Sequence, residues 1–160
     1  VKSEQTLNNI ILCGYKSCGK TTLGKKISEK MNMHFIDTDD LVSKNCRQLY
    51  LHSAEAFREI EKEVVAALID FQNSVIATGG GSVLAPENVA IFKKLGKIFY
   101  LRVPKEILKE RLLSGTLPTF LDPNRPEESF EEMYASRKEL YEQIADHIID
   151  HEDQIWPLIM

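Results

Sequence analysis

The sequence predicts an α/β domain: a parallel sheet with helices packed on both faces. Three observations carry that prediction. Short apolar runs alternate with amphipathic stretches of helical spacing along most of the chain. The runs have the length and composition of buried strands and are closed by glycine, proline or aspartate. The chain, at 160 residues, is the size of one domain able to bury most of a single core.

The elements follow in order. Asn9 to Cys13 (NIILC) is a buried-strand pattern stopped by Gly14. Lys20 to Met31 keeps helical spacing through Leu23, Ile27 and Met31, and HFID (34–37) is a brief second strand before a polar helical stretch. Ser53 is a suitable cap for SAEAFREIEKEVVAALIDF, a helix whose apolar face includes Ala54, Phe57, Val64, Val65 and Leu68. SVIAT (74–78) is the third strand and runs into Gly79, Gly80 and Gly81. Pro86 suits the first turn of a helix to about Lys94. KIFYLRV (97–103) is the fourth strand, and Pro104 opens a helix running to Ser114. The stretch SGTLPTFLDPNRPEES that follows is long for a connection in a compact domain, which marks it as something that binds or moves. ESFEEMYASRKELYEQIA is helical again, and HIID (147–150) makes a fifth strand. Ligands of such sheets sit beyond the carboxyl ends of the strands, so chemistry is expected just after residues 13, 37, 78 and 103.

Composition removes several classes of function. Charged residues are 28% and apolar ones 43%, an ordinary soluble balance, and the formal charge of −4 argues against a sequence-independent grip on nucleic acid. Cys13, Cys18 and Cys46 are an odd number without metal-type spacing and read as free thiols of a reducing cytoplasm. No apolar stretch approaches the ~20 residues of a membrane span, and the opening VKSEQTLNN does not read as a signal peptide. A cytoplasmic monomer without nucleic-acid or membrane partners is expected.

After the first strand, Gly14-Tyr15-Lys16-Ser17-Cys18-Gly19-Lys20-Thr21 completes the pattern G-x-x-x-x-G-K-[ST]. Its glycines let the backbone curl so that N–H groups point at phosphate oxygens, and the following helix adds its partial positive charge. Lys20 supplies a point charge at the β/γ-phosphates, and the Thr21 hydroxyl is placed to ligate Mg²⁺. A chance match arises in roughly one chain in 200 of this length, so a nucleoside triphosphate is the expected ligand. Cys18, beside Lys20 and a helix start, is either an activated thiol or a spacer.

The second strand ends in Asp37-Thr38-Asp39-Asp40. An extended chain sends Asp37 and Asp39 to one side, one to serve Mg²⁺ and the other to take or orient a hydroxyl proton; Asp40 reads as a helix cap. Three glycines directly after a buried strand imply close approach of backbone to a ligand. Arg58 and Arg137 form a carboxylate clamp only if they converge; otherwise each is a surface ion pair, Arg58 with Glu55 or Glu61.

Taken together, GYKSCGKTT, FIDTDD, AFREIE, IATGGGS and SRKELY resemble, in order and spacing, the shikimate kinase family, over nearly the whole chain. The resemblance implies a single P-loop kinase domain over 1–160, a five-stranded parallel sheet in the order 2-3-1-4-5, substrate-binding helices about 38–70 and a mobile lid about 114–128. It implies ATP-dependent phosphorylation of the 3-hydroxyl of shikimate. Lys16, Ser17, Cys18, Gly19, Lys20, Thr21, Thr22 and Gly14 would hold ATP, with Arg111 against adenine. Asp39 would hold and activate the hydroxyl, Thr21 and Asp37 would support Mg²⁺, and Arg58, Arg137, Gly80 and Gly81 would grip the substrate carboxylate. A kinase of another small hydroxy acid or nucleotide, and a nucleotide-binding regulator without turnover, are the rival readings.

The chain departs from the family pattern in the lid. The family normally carries an arginine before the lid proline; this chain reads Leu117-Pro118. Such arginines supply ~10³–10⁵ in rate in related phosphoryl transfer. Three explanations stand: Arg125 swings in as a catalytic substitute, Lys16 provides part of the charge, or the enzyme is slow. Arg125 is favoured, as the only arginine between Arg111 and Arg137. Ser53 and Ala54 also replace a usual glycine and glutamate, and the connection from Asp39 to Phe57 is shorter than usual.

Overall fold

In the computed structural model, which describes residues 8–46 and 54–160, five strands pair side by side, all parallel. They are β1 (Asn9–Cys13), β2 (His34–Asp37), β3 (Ser74–Ala77), β4 (Gly96–Leu101) and β5 (His147–Ile149), in the order β2-β3-β1-β4-β5. Every residue of the central β1 is buried, which is why NIILC needs no polar alternation. Ile11 pairs with Ile76 on one side and Ile98 on the other, and all three are inaccessible to solvent.

The helices are α1 (Lys20–Met31), α2 (Thr38–Cys46), α3 (Ala54–Ala66), α4 (Pro86–Leu95), α5 (Lys105–Leu113), α6 (Pro126–Ile144) and the short α7 (Trp156–Ile159). They bring Ile27, Val65, Phe92, Leu95, Leu108, Phe130 and Tyr141 onto the sheet as fully buried side chains. Each such apolar side chain contributes about 1.5–3 kcal/mol relative to exposure.

Element ends differ from expectation for local reasons. α3 stops at Ala66 instead of running to Phe71. Its tail tightens into turns, with Leu68 N–H donating to Val65 O at 3.0 Å and Phe71 N–H to Leu68 O at 2.9 Å, before Asn73 reverses the chain at φ 56. Leu68 stays buried, while Ile69 and Phe71 are exposed, so the apolar pattern outruns the helix at its C-terminal end. The expected cap Ser53 lies outside the described residues. β4 ends at Leu101, short of the expected 103, although Arg102 N–H still donates to Ile149 O at 2.9 Å. α6 begins at Pro126, ahead of the expected Glu128, because a proline at the first turn followed by Glu127 and Glu128 suits the helix dipole. A 3-10 turn at Ser82–Leu84, another at Glu152–Gln154 and α7 are elements that the sequence pattern does not announce.

Asn9 ties the base of the sheet together. Its side chain, 3% exposed, donates to Phe71 O at 2.8 Å and Leu95 O at 3.0 Å and accepts from Ser74 N–H at 2.9 Å. One side chain thus satisfies backbone groups at the entries to β3 and β4. Asn9→Leu leaves them unpaired and is expected to cost about 3 kcal/mol. At this chain length that lowers Tm by roughly 6–12 °C. Differential scanning calorimetry reads it; a drop under about 2 °C contradicts the role.

Candidate active site

Strand order brings the site together. β2, β3 and β1 are neighbours, so the segments after their carboxyl ends share one edge of the sheet. There they line a cleft of about 1410 Å³ with Lys16, Ser17, Gly19 to Thr22, Asp37, Asp39, Arg58, Gly80, Gly81, Arg111 and Arg137, and with lid residues Thr116 to Phe120.

The loop between β1 and α1 has the shape of an anion cradle. Gly19, at the N-cap of α1, has φ 105, and a Cβ there would meet nothing within 4 Å, so glycine is needed for its backbone angle and not for room. Ser17 holds φ 69 without being glycine, strain of the kind found at ligand sites. Lys20 is 9% exposed; its Nζ folds back to donate to Gly14 O at 2.7 Å and Tyr15 O at 2.9 Å, with Cys18 Sγ at 3.8 Å. Those carbonyls hold the ammonium beside the loop amides. Cys13 and Cys18 are free and buried, and burial pushes the Cys13 thiol up to about 12. Cys18, 6% exposed, packs inside the loop beside Lys20.

Tyr15 has a role that its place in the motif does not reveal. Buried next to Lys16, it donates to Tyr134 O at 2.7 Å, stacks on the Tyr134 ring at 4.9 Å and meets the Tyr141 ring edge-on at 4.8 Å. Tyr141 in turn donates to Gly80 O at 2.5 Å. The phosphate loop and the glycine run are thereby fixed to one face of α6, the face that carries Arg137. The available signal in the sequence is the spacing of Arg137 and Tyr141, one helical turn apart.

The two carboxylates reach the cleft by a different route from the extended one expected. β2 ends at Asp37 and α2 begins at Thr38. Asp37 Oδ1 accepts from Asp39 N–H at 2.9 Å and Asp40 N–H at 3.4 Å, so Asp37, not Asp40, caps α2. Its Oδ2 accepts from the Thr21 hydroxyl at 3.3 Å. Thr21 and Asp37 thus form a pair of hard oxygen donors that fits Mg²⁺, an ion that keeps much of its water shell. Among the described residues no cluster of three His, Cys, Asp or Glu could hold a metal instead. Asp39 opens onto the cleft, yet burial by the surrounding protein raises its pKa above the ordinary 3.8, and Asp37 raises it further; Lys20, Lys16 and Arg58 pull it back.

The glycine run is where the remaining groups meet. A Cβ on Gly79 would overlap the Asp39 carboxylate, and one on Gly81 would overlap the Arg58 guanidinium. At Gly80 a Cβ would sit 3.4 Å from both Arg137 Nη1 and Lys16 N, a tight but lesser conflict. Alanine at Gly79 or Gly81 would therefore push the Asp39 or the Arg58 side chain from its place. Thr38 Oγ1 accepts from Gly79 N–H at 2.8 Å and fixes the run against α2. Arg58 pairs with the buried Glu61 at 2.9 Å, one of the ion pairs foreseen, and still faces the cleft. Arg137 is 8% exposed and lies over the Phe120 ring at 5.5 Å.

Arg111 donates to Ser17 O at 2.9 Å and lines both the cleft and an adjoining pocket of about 630 Å³ that includes Arg102, Asp150 and His151. Arg125 is not brought in. Its guanidinium is held by Glu128 at 3.2 Å and Glu132 at 2.9 Å on the first turns of α6, and it is absent from the cleft lining. Leu117 lines the cleft and packs half-buried on the core.

A family model described as shikimate kinase matches residues 16–156. A shikimate kinase of Thermodesulfovibrio yellowstonii is 37% identical over 151 residues, covering 91% of this chain and 87% of that protein. The structure of shikimate kinase from Acinetobacter baumannii in complex with shikimate superposes with a TM-score of 0.86 at 27% identity, covering 99% of this chain and 96% of that one. Shikimate kinase from Aquifex aeolicus gives a TM-score of 0.78 at 28% identity, covering 94% and 93%.

In the ligand-free and metal-free protein, the Asp39 carboxyl carbon is expected to titrate above 3.8 by NMR, and Asp37→Asn to move that titration toward lower pH by removing a like charge. A titration at or below 3.8, unmoved by Asp37→Asn, contradicts this electrostatic account.

Proposed function

The chain belongs to the shikimate kinase family, and from that premise we propose how its own residues transfer the terminal phosphoryl group of ATP to the 3-hydroxyl of shikimate, giving shikimate 3-phosphate and ADP. One observation carries the reading: Asp39, Arg58 and Arg137 meet the glycine run inside the cleft that the phosphate loop also lines. A small acceptor with an anion at one end and a hydroxyl at the other fits that disposition. The product belongs to the biosynthesis of aromatic amino acids.

The amides from Gly14 to Thr22, including those of Lys16, Ser17, Cys18 and Gly19, cradle the triphosphate, and Lys20 exchanges its carbonyl partners for the β/γ-phosphate oxygens. Arg111, between cleft and side pocket, lies against the adenine. Arg58 and Arg137, with the N–H groups of Gly80 and Gly81, hold the shikimate carboxylate, and Glu61 keeps Arg58 aimed. Asp39 orients the 3-hydroxyl and accepts its proton as the new oxygen–phosphorus bond forms; the bond between the γ-phosphorus and the bridging oxygen breaks, and ADP leaves with the electron pair. Its raised pKa makes Asp39 a better proton acceptor than an aspartate at the ordinary value. Thr21 and Asp37 hold Mg²⁺, which when bound offsets charge on the phosphate oxygens. The lid over 114–128 closes on the nucleotide and keeps water from the transferring group.

An ADP-release assay with shikimate, gluconate and nucleoside monophosphates tests the reading. Turnover with shikimate alone is expected; turnover with another acceptor only, or ATP binding without turnover, rejects it. Gly81→Ala is expected to displace Arg58, the flexible partner in the conflict, and to raise the KM for shikimate roughly tenfold or more. The same variant should leave the KM for ATP nearly unchanged. An unaltered KM for shikimate argues that Arg58 does not grip the substrate.

A further inference from the structure

Phosphoryl transfer spreads negative charge over the equatorial oxygens of the moving group, and a positioned cation there lowers the barrier. The lid residues that reach the cleft, Thr116 to Phe120, are all uncharged, and Arg125 is held outside by Glu128 and Glu132. No lid cation stands at the cleft in this conformation.

Among the described residues, Lys16, Lys20, Arg58, Arg111 and Arg137 are the basic residues that line the cleft. Lys20 is bound to the loop carbonyls, Arg58 to Glu61, Arg111 to Ser17 O, and Arg137 lies over Phe120. Among the described residues the Lys16 side chain makes no ion pair and no hydrogen bond, and it is exposed within the cleft.

Its backbone is fixed by its neighbours. Tyr15 is buried and clamped by Tyr134 and Tyr141, and Ser17 is turned to φ 69, so the backbone on either side of Lys16 is set. Lys16 N approaches within 3.4 Å of a Cβ position on Gly80, which brings the loop against the acceptor side of the cleft. Lys16 is also near enough to Asp39 for its charge to be felt there. Asp39 on one side and the phosphate loop on the other bracket the path of the transferring group.

We infer that Lys16 is a catalytic residue of this chain, its ammonium facing the phosphoryl group in transfer and supplying the positive charge that its lid lacks. The inference rests on the kinase reading above. It assigns to the interior of the phosphate loop a task beside those of Lys20 and the amides.

The test compares Lys16→Met and Lys16→Arg with the wild type under saturating Mg-ATP and shikimate. Lys16→Met is expected to lower kcat at least roughly tenfold, while Lys16→Arg, which keeps the charge, stays within roughly threefold. Affinity for ATP, read by fluorescence titration, and Tm should be nearly unchanged in both, because the side chain has no structural partner among the described residues. Four results overturn the inference: an unaltered kcat in Lys16→Met; equal losses in Lys16→Met and Lys16→Arg; a fall in ATP affinity that accounts for the whole defect; or a tenfold loss in Arg125→Ala with Lys16→Met unaffected. A wild type that fails to phosphorylate shikimate sinks the kinase reading itself, and that outcome is visible before any variant is made.

Discussion

The absence of side chains on Gly79 and Gly81 is the constraint on which the site depends. One carboxylate and two guanidiniums, of Asp39, Arg58 and Arg137, approach the same few backbone atoms at the end of β3, and a larger residue at Gly79 or Gly81 would displace the first or the second. Because β3 lies between β2 and β1 in the sheet, this crowding takes place beside the phosphate loop. The buried Glu61 belongs to the same arrangement. It holds Arg58 at 2.9 Å, while burial raises its own pKa and its Oε2 has no hydrogen-bond partner among the described residues. A buried carboxylate so incompletely satisfied costs stability; what it gives in return is a fixed guanidinium.

The tyrosines give the cleft its stiffness. Tyr15, Tyr134, Tyr141 and Tyr100 form a contiguous set of rings under the phosphate loop; burial raises the pKa of Tyr15, Tyr100 and Tyr141, and Tyr15 and Tyr141 donate hydrogen bonds as neutral phenols. Through Tyr141 and Gly80 the nucleotide side and the acceptor side share one support. Reaction by in-line attack needs two ligands held to within a fraction of an ångström, and a common scaffold meets that need better than two independent loops. The lid is built differently. It is a chain of turns, Leu121 N–H to Pro118 O and Arg125 N–H to Asp122 O, anchored by the buried Leu121, with Arg125 directed to α6.

The sheet is legible in the sequence because its strands are short apolar runs with glycine or aspartate at their ends, and buried parallel strands have little other way to be written. The phosphate loop is legible because its geometry demands glycine at fixed positions. The end of α3 is not, since Ile69 and Phe71 continue an apolar pattern after the backbone has already turned. The cap of α2 escapes the sequence because three aspartates in close succession compete for one position, and only the end of β2 decides between them. Arg125 looks available because sequence shows a charge without its partners; Glu128 and Glu132, three and seven residues on, become partners only because α6 starts at Pro126 and not at the expected Glu128. Convergence of Arg58, Arg137 and Asp39 requires strand order, which the residues alone do not supply.

The central claim is that one rigid cleft holds nucleotide and acceptor in reactive proximity. A crystal structure of the protein with Mg²⁺, a non-hydrolysable ATP analogue and shikimate tests it most directly. The shikimate carboxylate should lie between Arg58 and Arg137, with the 3-hydroxyl oxygen on Asp39 and roughly 3–3.5 Å from the γ-phosphorus. Nucleotide and shikimate bound in separate pockets, or a carboxylate away from both arginines, would contradict the account.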